Sequence, residues 1–437
     1  MAYFKKIIQS NFSIIVLLCI MKIMLDYIYI KIVSPMYAYL GLTVSEELNG
    51  VLISWIMVVI YALFLIHLAK INDSNHKGAI VISVLICCSA IPTTTIVTVF
   101  NTDRMFPIVC TLYWFFIVLI YSTQFKSVKV VCGNIRFNKK HILYIIVVVL
   151  VLGDLLVFFK YTGFNVSLKL SDVYLARTAF KTDNIPSILQ YLFFASTNIF
   201  PILCVYELNK KRYSYFFVFA LLQLLAFSSD GRKSTLFILI ITIVGYYFVK
   251  NINVRIIPFL MTLVLSIGLV EKLLFKTTNL INYFIRRLFL LPAYLQYAYY
   301  DFFSVNEKDL FRQSIVGRLG FASPYSSPIP KIIGNQYYAG SYANNGLFAD
   351  AYSNLGLLGI LLMPILLVIA FKCLDKCSKD LSVGICIGVI FSVSYTLLSS
   401  SFFTVMLTHG FIISCLVIFC VPRFGNVTVK IGEHNDS

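Results

Sequence analysis

HILYIIVVVLVLGDLLVFFKY, residues 141–161, is an almost unbroken run of apolar side chains with one carboxylate, Asp154, inside it. At about 1.5 Å per residue, a helix of this length spans about 30 Å, the thickness of the hydrocarbon core of a bilayer. Apolar and polar residues do not alternate along the run, which disfavours a strand of a membrane β-barrel. The run therefore predicts a transmembrane helix.

Runs of this kind recur along the whole chain. The protein has 437 residues, of which 59% are hydrophobic and 13% are charged, and this composition leaves too few polar side chains for a water-soluble surface. We therefore predict an all-α integral membrane protein that forms a single polytopic domain. The apolar windows predict about twelve transmembrane helices, near residues 11–33, 50–69, 79–100, 107–122, 141–161, 187–207, 214–229, 234–250, 256–275, 355–371, 381–399 and 402–421.

The first window follows Lys5 and Lys6, as the apolar part of a signal peptide would. It is too long for a signal peptide and has no small-residue cleavage site, so we predict a retained helix. Lys22 and Asp26 lie inside it, four residues apart and therefore on one face of the helix. We prefer mutual neutralisation of these two charges to a proton or ion site.

Positive charge is distributed unevenly among the short loops. The chain has 36 Lys and Arg against 19 Asp and Glu, but they are scattered through alternate loops rather than gathered on one face, so nucleic acid is not an expected partner. Loops rich in Lys and Arg stay in the cytoplasm. This rule places both termini in the cytoplasm and two long segments on the periplasmic side: residues 162–186, and residues 276–354 between helices nine and ten.

The polar segments on the periplasmic side contain the candidate binding residues. Tyr and Asn side chains suit sugar recognition, because rings pack on pyranose faces and amides bond to hydroxyls, but they suit an interfacial belt equally well. Glycines in these segments are predicted to permit turns or close packing. The conspicuous features are Tyr174 and Arg177 in DVYLAR, Arg232 beside Asp230 in the turn SSDGRKS, the pair Arg286 and Arg287 before an aromatic run, Arg318, and Asn344 and Asn345 within residues 334–359.

Arginine is well suited to bind a pyrophosphate at a membrane surface. Its planar guanidinium makes paired, charge-assisted hydrogen bonds and stays ionised at any working pH. Several arginines converging from separate loops would form an anion site. For any single arginine, snorkelling to a lipid headgroup or balancing a nearby acid explains the residue equally well, and Asp230 is such an acid for Arg232.

Metal and hydrolase chemistry find little support in the sequence. The five histidines are scattered and the eleven cysteines show no zinc spacing or disulfide framework, so we expect neither a metal nor a cofactor. Glu307 and Asp309 have the spacing of a cation-binding pair, but we favour a solvated loop. His409, near the start of the last window, is interpreted either as a base or as a satisfied intramembrane histidine.

The chain resembles the O-antigen polymerase family, bacterial enzymes that polymerise lipid-linked oligosaccharide repeat units. The resemblance includes the twelve-helix plan with one large outer loop. The spaced arginine-to-glycine repeat of some relatives is not evident, which leaves the role of each arginine open. The segments that carry the resemblance are ANNGLFADAYSNLGLLG (343–359), GNQYY (334–338), IRRLFLLPAYLQYAYYDFF (285–303), DVYLAR (172–177) and SSDGRKS (228–234).

This resemblance implies a multi-pass protein of the bacterial inner membrane that acts as a metal-independent glycosyltransferase at the periplasmic face. A growing glycan on undecaprenyl pyrophosphate would be transferred to a sugar hydroxyl of an incoming lipid-linked unit, with a chain-length regulator as a further partner. Asp350 or His409 is the expected base. The expected substrate-binding residues are Arg177, Arg232, Arg286, Arg287, Arg318, Tyr174, Asn344 and Asn345.

Two other functions stay open. An O-antigen ligase has a similar outer loop and donor but usually offers a histidine in that loop, and residues 276–354 contain none. A flippase of lipid-linked oligosaccharides would have two similar halves, short outer loops and charged residues along a central cavity. Asp154, Glu271 and Lys272 fit the flippase, whereas the long loop does not.

Overall fold

The computed structural model describes residues 10–45, 49–71, 76–123, 138–161, 185–248 and 252–423. All regular secondary structure in these ranges is helical. In chain order the helices are α1 (Asn11–Leu40), α2 (Val51–Ile71), α3 (Lys77–Val99), α4 (Met105–Ser122), α5 (Lys139–Tyr161), α6 (Ser187–Asn209), α7 (Tyr213–Asp230), α8 (Lys233–Phe248), α9 (Val254–Phe275), α10 (Ile281–Leu290 continued by Leu291–Val305), α11 (Ile329–Tyr337), α12 (Phe348–Leu355), α13 (Leu357–Cys377), α14 (Val383–Leu397) and α15 (Phe402–Cys420).

Each of the twelve predicted windows coincides with a helix. Within the described ranges, ten helices are long and apolar enough to cross a membrane, and these are α1 to α7, α9, α13 and α15. The remaining two, α8 and α14, are apolar but have only 16 and 15 residues. The all-helical membrane character is therefore confirmed, whereas the count of twelve crossings and the orientation stay predictions.

Contacts between connecting segments divide the bundle into two ends. We call the end that contains residues 309–354 the cleft end, and the other the opposite end. The helices α1 to α9 and α13 to α15 run between the two ends, the short helices α8 and α14 included. The helices α10 to α12 belong to the cleft end. Contacts at the cleft end include Ser45 N to Val99 O, Tyr300 OH to Asp103 and Arg318 to Tyr191, and contacts at the opposite end include Gly78 N to Asp375, Tyr246 OH to Asn209 and Arg423 to Cys377 O.

The two charged residues inside α1, Lys22 and Asp26, form an ion pair with each other. Lys22 Nζ donates to both carboxylate oxygens of Asp26, at 2.6 and 2.5 Å, and to Thr98 Oγ1 at 2.7 Å. The lysine side chain is fully buried. Removing one partner of such a buried pair costs about 3–5 kcal/mol. The predicted mutual neutralisation is confirmed.

The long polar segment, residues 276–354, contains three helices, α10 to α12. The aromatic run of α10 packs inside the protein: Tyr294 and Tyr299 are each only 3% exposed. Gln296, on the same helix, accepts from Thr93 Oγ1 at 3.1 Å and donates to Cys110 Sγ at 3.6 Å, so α10 reaches between α3 and α4. The helix thereby anchors the polar segment on the bundle and fixes one side of the cleft described below.

Candidate functional site

A cleft of about 450 Å³ opens at the cleft end of the bundle. Four parts of the chain form its walls: α10 through Tyr299, residues 309–330, residues 344–354, and the break between α14 and α15 together with the first turn of α15. Three of the residues predicted from the sequence, Asn344, Asn345 and Asp350, line it. The full lining is Tyr299, Asp309, Gln313, Ser314, Pro328, Ile329, Pro330, Asn344, Asn345, Asp350, Ser353, Asn354, Ser399, Ser400, Ser401 and Thr404.

Asp350 lies in the first turn of α12 and is 6% exposed. Its Oδ1 accepts from Asn354 Nδ2 at 3.0 Å, and its Oδ2 accepts from the backbone N–H of Phe402 at 2.7 Å. A carboxylate has about four acceptor positions, so each oxygen retains one for a ligand. Burial raises the pKa of the Asp350 carboxyl from 3.8 to about 6, which brings the group close to the range in which a general base works best.

Asp309 forms a second carboxylate in the wall, and it was not predicted as a site residue. It is 1% exposed, and its oxygens accept from Ser323 Oγ at 2.6 Å and from Gln313 N at 2.8 Å. The interpretation of a solvated loop is therefore wrong for Asp309. It fits Glu307, which is exposed and pairs with Arg312 at 2.6 Å.

Hydrogen bonds to Asn354 hold the strained backbone that follows Asp309. Leu310 and Phe311 both have positive φ angles, 54° and 60°, a conformation that costs side-chain-bearing residues of order 1–3 kcal/mol each. Their N–H groups bond to Asn354, to its backbone oxygen at 3.1 Å and its Oδ1 at 2.8 Å. Because Asn354 also bonds to Asp350, this one amide connects both carboxylate-bearing segments.

Asn344 and Asn345 precede α12 on the other side of the cleft. Asn345 Nδ2 donates to Pro292 O at 3.0 Å, which ties this wall to α10. The next residue, Gly346, is packed so closely on the break after α14 that a Cβ atom would lie 2.2 Å from Leu397 O and 2.3 Å from Ser400 O. Only glycine fits there, so Gly346 acts by close approach, in addition to the turn that the sequence suggested.

His409 is connected to the cleft without lining it. Its Nε2 lies 3.2 Å from Ser400 Oγ, and Ser400 is a lining residue. The backbone oxygen of His409 accepts from Asn198 Nδ2 at 3.0 Å, which holds this turn against α6. An imidazole in this position can exchange a proton with a ligand through the Ser400 hydroxyl.

Two of the predicted arginines contact the first turns of α6. Arg318 Nη2 donates to Tyr191 OH at 3.0 Å, and the Arg232 guanidinium lies 4.2 Å from the ring centroid of Phe194. Residues three apart on a helix are neighbours on one face, so the two arginines contact the same face of α6. Arg232 also lies 3.6 Å from Asp230, and the ion pair weighed from the sequence is therefore present.

Arg286 and Arg287 have different surroundings although they are adjacent in sequence. Arg287 is exposed, whereas Arg286 is 6% exposed and lies 4.0 Å from the ring centroid of Tyr37. The only hydrogen bond that the Arg286 side chain makes within the described residues is a long one, 3.5 Å, from Nη1 to Tyr338 OH; its buried Nε has no partner. The two arginines therefore do not form one site, and neither lines the cleft.

Of the other residues predicted from the sequence, Tyr174 and Arg177 lie outside the described residues. Glu271 accepts hydrogen bonds from Thr277 Oγ1 and from the backbone of residues 279 and 280, so it closes the turn after α9 and does not face a central cavity. No group of three or more His, Cys, Asp or Glu side chains in the described ranges is arranged to hold a metal ion.

Fold and cleft together define the class: a multi-pass helical membrane protein with a polar, carboxylate-bearing cleft at one end of its bundle. No protein-family model, no curated protein and no solved structure matches the chain. The chemistry of the cleft and of the arginines around it therefore has to carry the assignment of function.

Proposed function

We propose that this protein joins lipid-linked oligosaccharide units, transferring a glycan from a polyprenyl pyrophosphate to a sugar hydroxyl of a second lipid-linked unit, as an O-antigen polymerase does at the periplasmic face of a bacterial inner membrane. The observation that carries the proposal is the position of Asp350: a buried carboxylate that opens into a cleft lined with amides and hydroxyls. Such a lining is suited to sugar hydroxyls, and the carboxylate is suited to accept a proton from one of them.

In this mechanism the acceptor sugar occupies the cleft. Its attacking hydroxyl loses a proton to Asp350 as the oxygen forms a bond to the anomeric carbon of the donor glycan. The bond between that carbon and the pyrophosphate oxygen breaks, and the electron pair leaves with the lipid pyrophosphate. Asp350 then returns its proton to solvent, so the site is restored without a metal or cofactor.

The arginines support the second half of this reaction. Negative charge builds on the pyrophosphate as its bond to the sugar breaks, and preorganised guanidinium groups stabilise that charge more than they stabilise the ground state. Arg232 and Arg318 share one face of α6. Arg286 is a buried cation without a carboxylate partner among the described residues, and an oxyanion would complete its hydrogen bonding.

A polymerase and a ligase differ in the acceptor, and one contact favours the ligase as a second candidate. The histidine that the sequence lacks within residues 276–354 is supplied from the start of α15, where His409 lies 3.2 Å from Ser400. A base relay of this kind serves either acceptor. The polymerase stays the primary proposal because residues 276–354 contain no histidine of their own and carry most of the segments that resemble that family.

Gene deletion in the host separates these functions. If the chain is a polymerase, its loss leaves a single repeat unit on the lipopolysaccharide, visible on a gel as a one-step band. If it is a ligase or a flippase, all repeat units disappear from the lipopolysaccharide. Restoring the gene with an Asp350→Asn substitution should leave the single-unit pattern with normal amounts of protein in the membrane, and restoration of long chains by this variant would contradict the role of Asp350.

A further inference from the structure

The lining of the cleft differs in charge from the arginine-bearing surfaces near it. Asp309 and Asp350 both contribute to the wall, and the other polar lining residues are Asn, Gln, Ser, Thr and Tyr. Within the described ranges, no lysine, arginine or histidine is among the lining residues. The cleft therefore combines many uncharged hydrogen-bonding groups with two carboxylates and has no basic side chain among its described lining residues.

The two acids are not neutralised by their own partners. Asp309 accepts from a serine hydroxyl and a backbone N–H, and Asp350 accepts from an asparagine amide and a backbone N–H. All four donors are uncharged, and neither carboxylate forms an ion pair with another described residue. The negative charge is therefore available to act on whatever enters the cleft, and burial of both groups weakens its screening by water.

We propose that the cleft selects sugars without an anionic group, namely neutral and amino sugars, and rejects sugars that carry a carboxylate or a phosphate. A hydroxyl donates a hydrogen bond to either acid and an ammonium group is attracted to both, whereas a uronic acid would place like charges together in a poorly screened site. This inference rests on the proposed function only in taking the ligand to be part of an acceptor glycan.

One consequence is a spatial separation of the two reacting groups. The acceptor sugar enters the acidic cleft, and the pyrophosphate of the donor stays outside, on the face of α6 that Arg232 and Arg318 contact. The same electrostatics that exclude an anionic sugar also keep the leaving group from rebinding in the acceptor position. The cleft therefore selects the acceptor sugar by its charge as well as by its shape.

Three methyl glycosides of one ring shape test the proposal: methyl glucoside, methyl glucosaminide and methyl glucuronoside. The full-length chain in lipid nanodiscs, free of glycoside detergents, is titrated with each sugar and followed by saturation-transfer NMR. We expect the glucuronoside to bind about tenfold or more weakly than the glucoside, and the glucosaminide to bind at least as tightly as the glucoside.

A matched pair of variants assigns the effect to the cleft. Asp309→Asn removes one charge from the wall at constant size, and we expect it to narrow the gap between glucoside and glucuronoside several-fold. Asp301→Asn removes an exposed charge outside the lining, one that accepts from Tyr337 OH at 2.6 Å, and should leave the gap unchanged. Equal or tighter binding of the glucuronoside by the native protein would overturn the inference, as would no binding of any of the three sugars or equal effects of the two variants.

The sugar titration of the native protein stays decisive if Asp309→Asn does not fold. Polymerisation in the host is measured separately, so the two proposals fail independently. If the protein makes long glycan chains but shows no preference among the three sugars, the charge selectivity is contradicted and the polymerase function is supported. If it binds the sugars selectively but its deletion does not affect chain length, the polymerase function is contradicted and the selectivity is supported.

Discussion

Two buried aspartates at opposite ends of the bundle have nearly the same exposure and very different surroundings. Asp350 is 6% exposed and Asp375 is 9% exposed. Asp375 accepts from Gly78 N at 2.7 Å and from Tyr121 OH at 2.6 Å, with His76 Nδ1 at 3.8 Å, so it ties α3 and α4 to α13. Asp350 has two hydrogen bonds as well, but it faces a cleft. Burial alone therefore does not distinguish a structural carboxylate from a chemical one; access to the cleft does.

The same contrast holds for arginines. At the opposite end, Arg423 donates to three backbone oxygens, those of Cys377, Ile418 and Val421, at 2.6 to 2.9 Å. At the cleft end, Arg286 has one long hydrogen bond and a Tyr ring. Arg423 closes the ends of helices, and its donors are occupied. Arg286 retains donors that a ligand can use.

The largest expected effect separates the two aspartates. Asp350→Asn removes the proposed base and should lower the rate of polymerisation by about 10²–10⁴-fold while the protein remains folded. Asp375→Asn breaks an interhelical junction and should lower the free energy of unfolding by about 1–3 kcal/mol, with little change in rate per folded molecule. Chain length on gels, together with thermal unfolding of the purified variants, measures both. A fall in activity confined to Asp375→Asn would reverse the assignment.

Arginine substitutions should give the next largest effect. Replacing Arg232 and Arg318 by Ala together removes the two cations that contact α6. Transfer should slow by about 10²-fold, because the departing pyrophosphate loses stabilisation. Arg212→Gln is the matched control: Arg212 pairs with Glu207 at 2.6 Å at the opposite end, and its loss should leave chain length unchanged. Normal chains in the double variant would remove α6 from the proposed site.

Acidification should lower the rate of transfer by protonating Asp350. The pKa of Asp350 is raised to about 6 by burial, so the ionised base is depleted below that pH and the rate at pH 5 should be about tenfold below the plateau. Acid has the opposite effect on the contribution of Asp350 to stability. Because the pKa of Asp350 in the folded protein exceeds its ordinary value, this contribution is full below about pH 4 and is lost as the pH rises through 6. A pH–rate profile of purified protein checks the first statement, and an acid limb that persists in Asp350→Asn would contradict it.

The smallest effect is expected for the histidine relay. Ser400→Ala interrupts the contact to His409 and should reduce the rate by a few-fold, since Asp350 remains in direct contact with the cleft. If the two residues act through one hydrogen bond, His409→Gln in the Ser400→Ala background should add almost nothing. Additive losses in this double-mutant cycle would show that His409 acts independently of Ser400.

The sequence predicts the bundle well and the cleft in part. Apolar windows identify helices because hydrocarbon demands long uninterrupted runs, and the Lys22–Asp26 pair follows from helical spacing. The helices α10 to α12 were not predicted because the segment that contains them, residues 276–354, is richer in Tyr, Asn, Gly and Ser than the apolar windows. Their stability comes from tertiary contacts, such as those of Gln296 with α3 and α4.

The candidate site shows the same limit. Asn344 and Asn345 were predicted because they lie in one polar segment, and Asp350 because the resemblance implied a base. Asp309 and Ser399 to Ser401 were missed because they reach the cleft from two other segments, one of them through the positive φ angles of Leu310 and Phe311. The serine run between the last two windows is a local signal that could have indicated the second segment. Nothing in the order Arg286–Arg287 indicates which arginine is buried.

The proposed reaction is tested by measuring the free polyprenyl pyrophosphate that the purified chain releases in vesicles supplied with a defined lipid-linked repeat unit. We expect one lipid pyrophosphate released for each new glycosidic bond, by the native protein and by Asp375→Asn when folded, and almost none by Asp350→Asn. Chain growth without release of lipid pyrophosphate, or equal release by the native protein and Asp350→Asn, would contradict it.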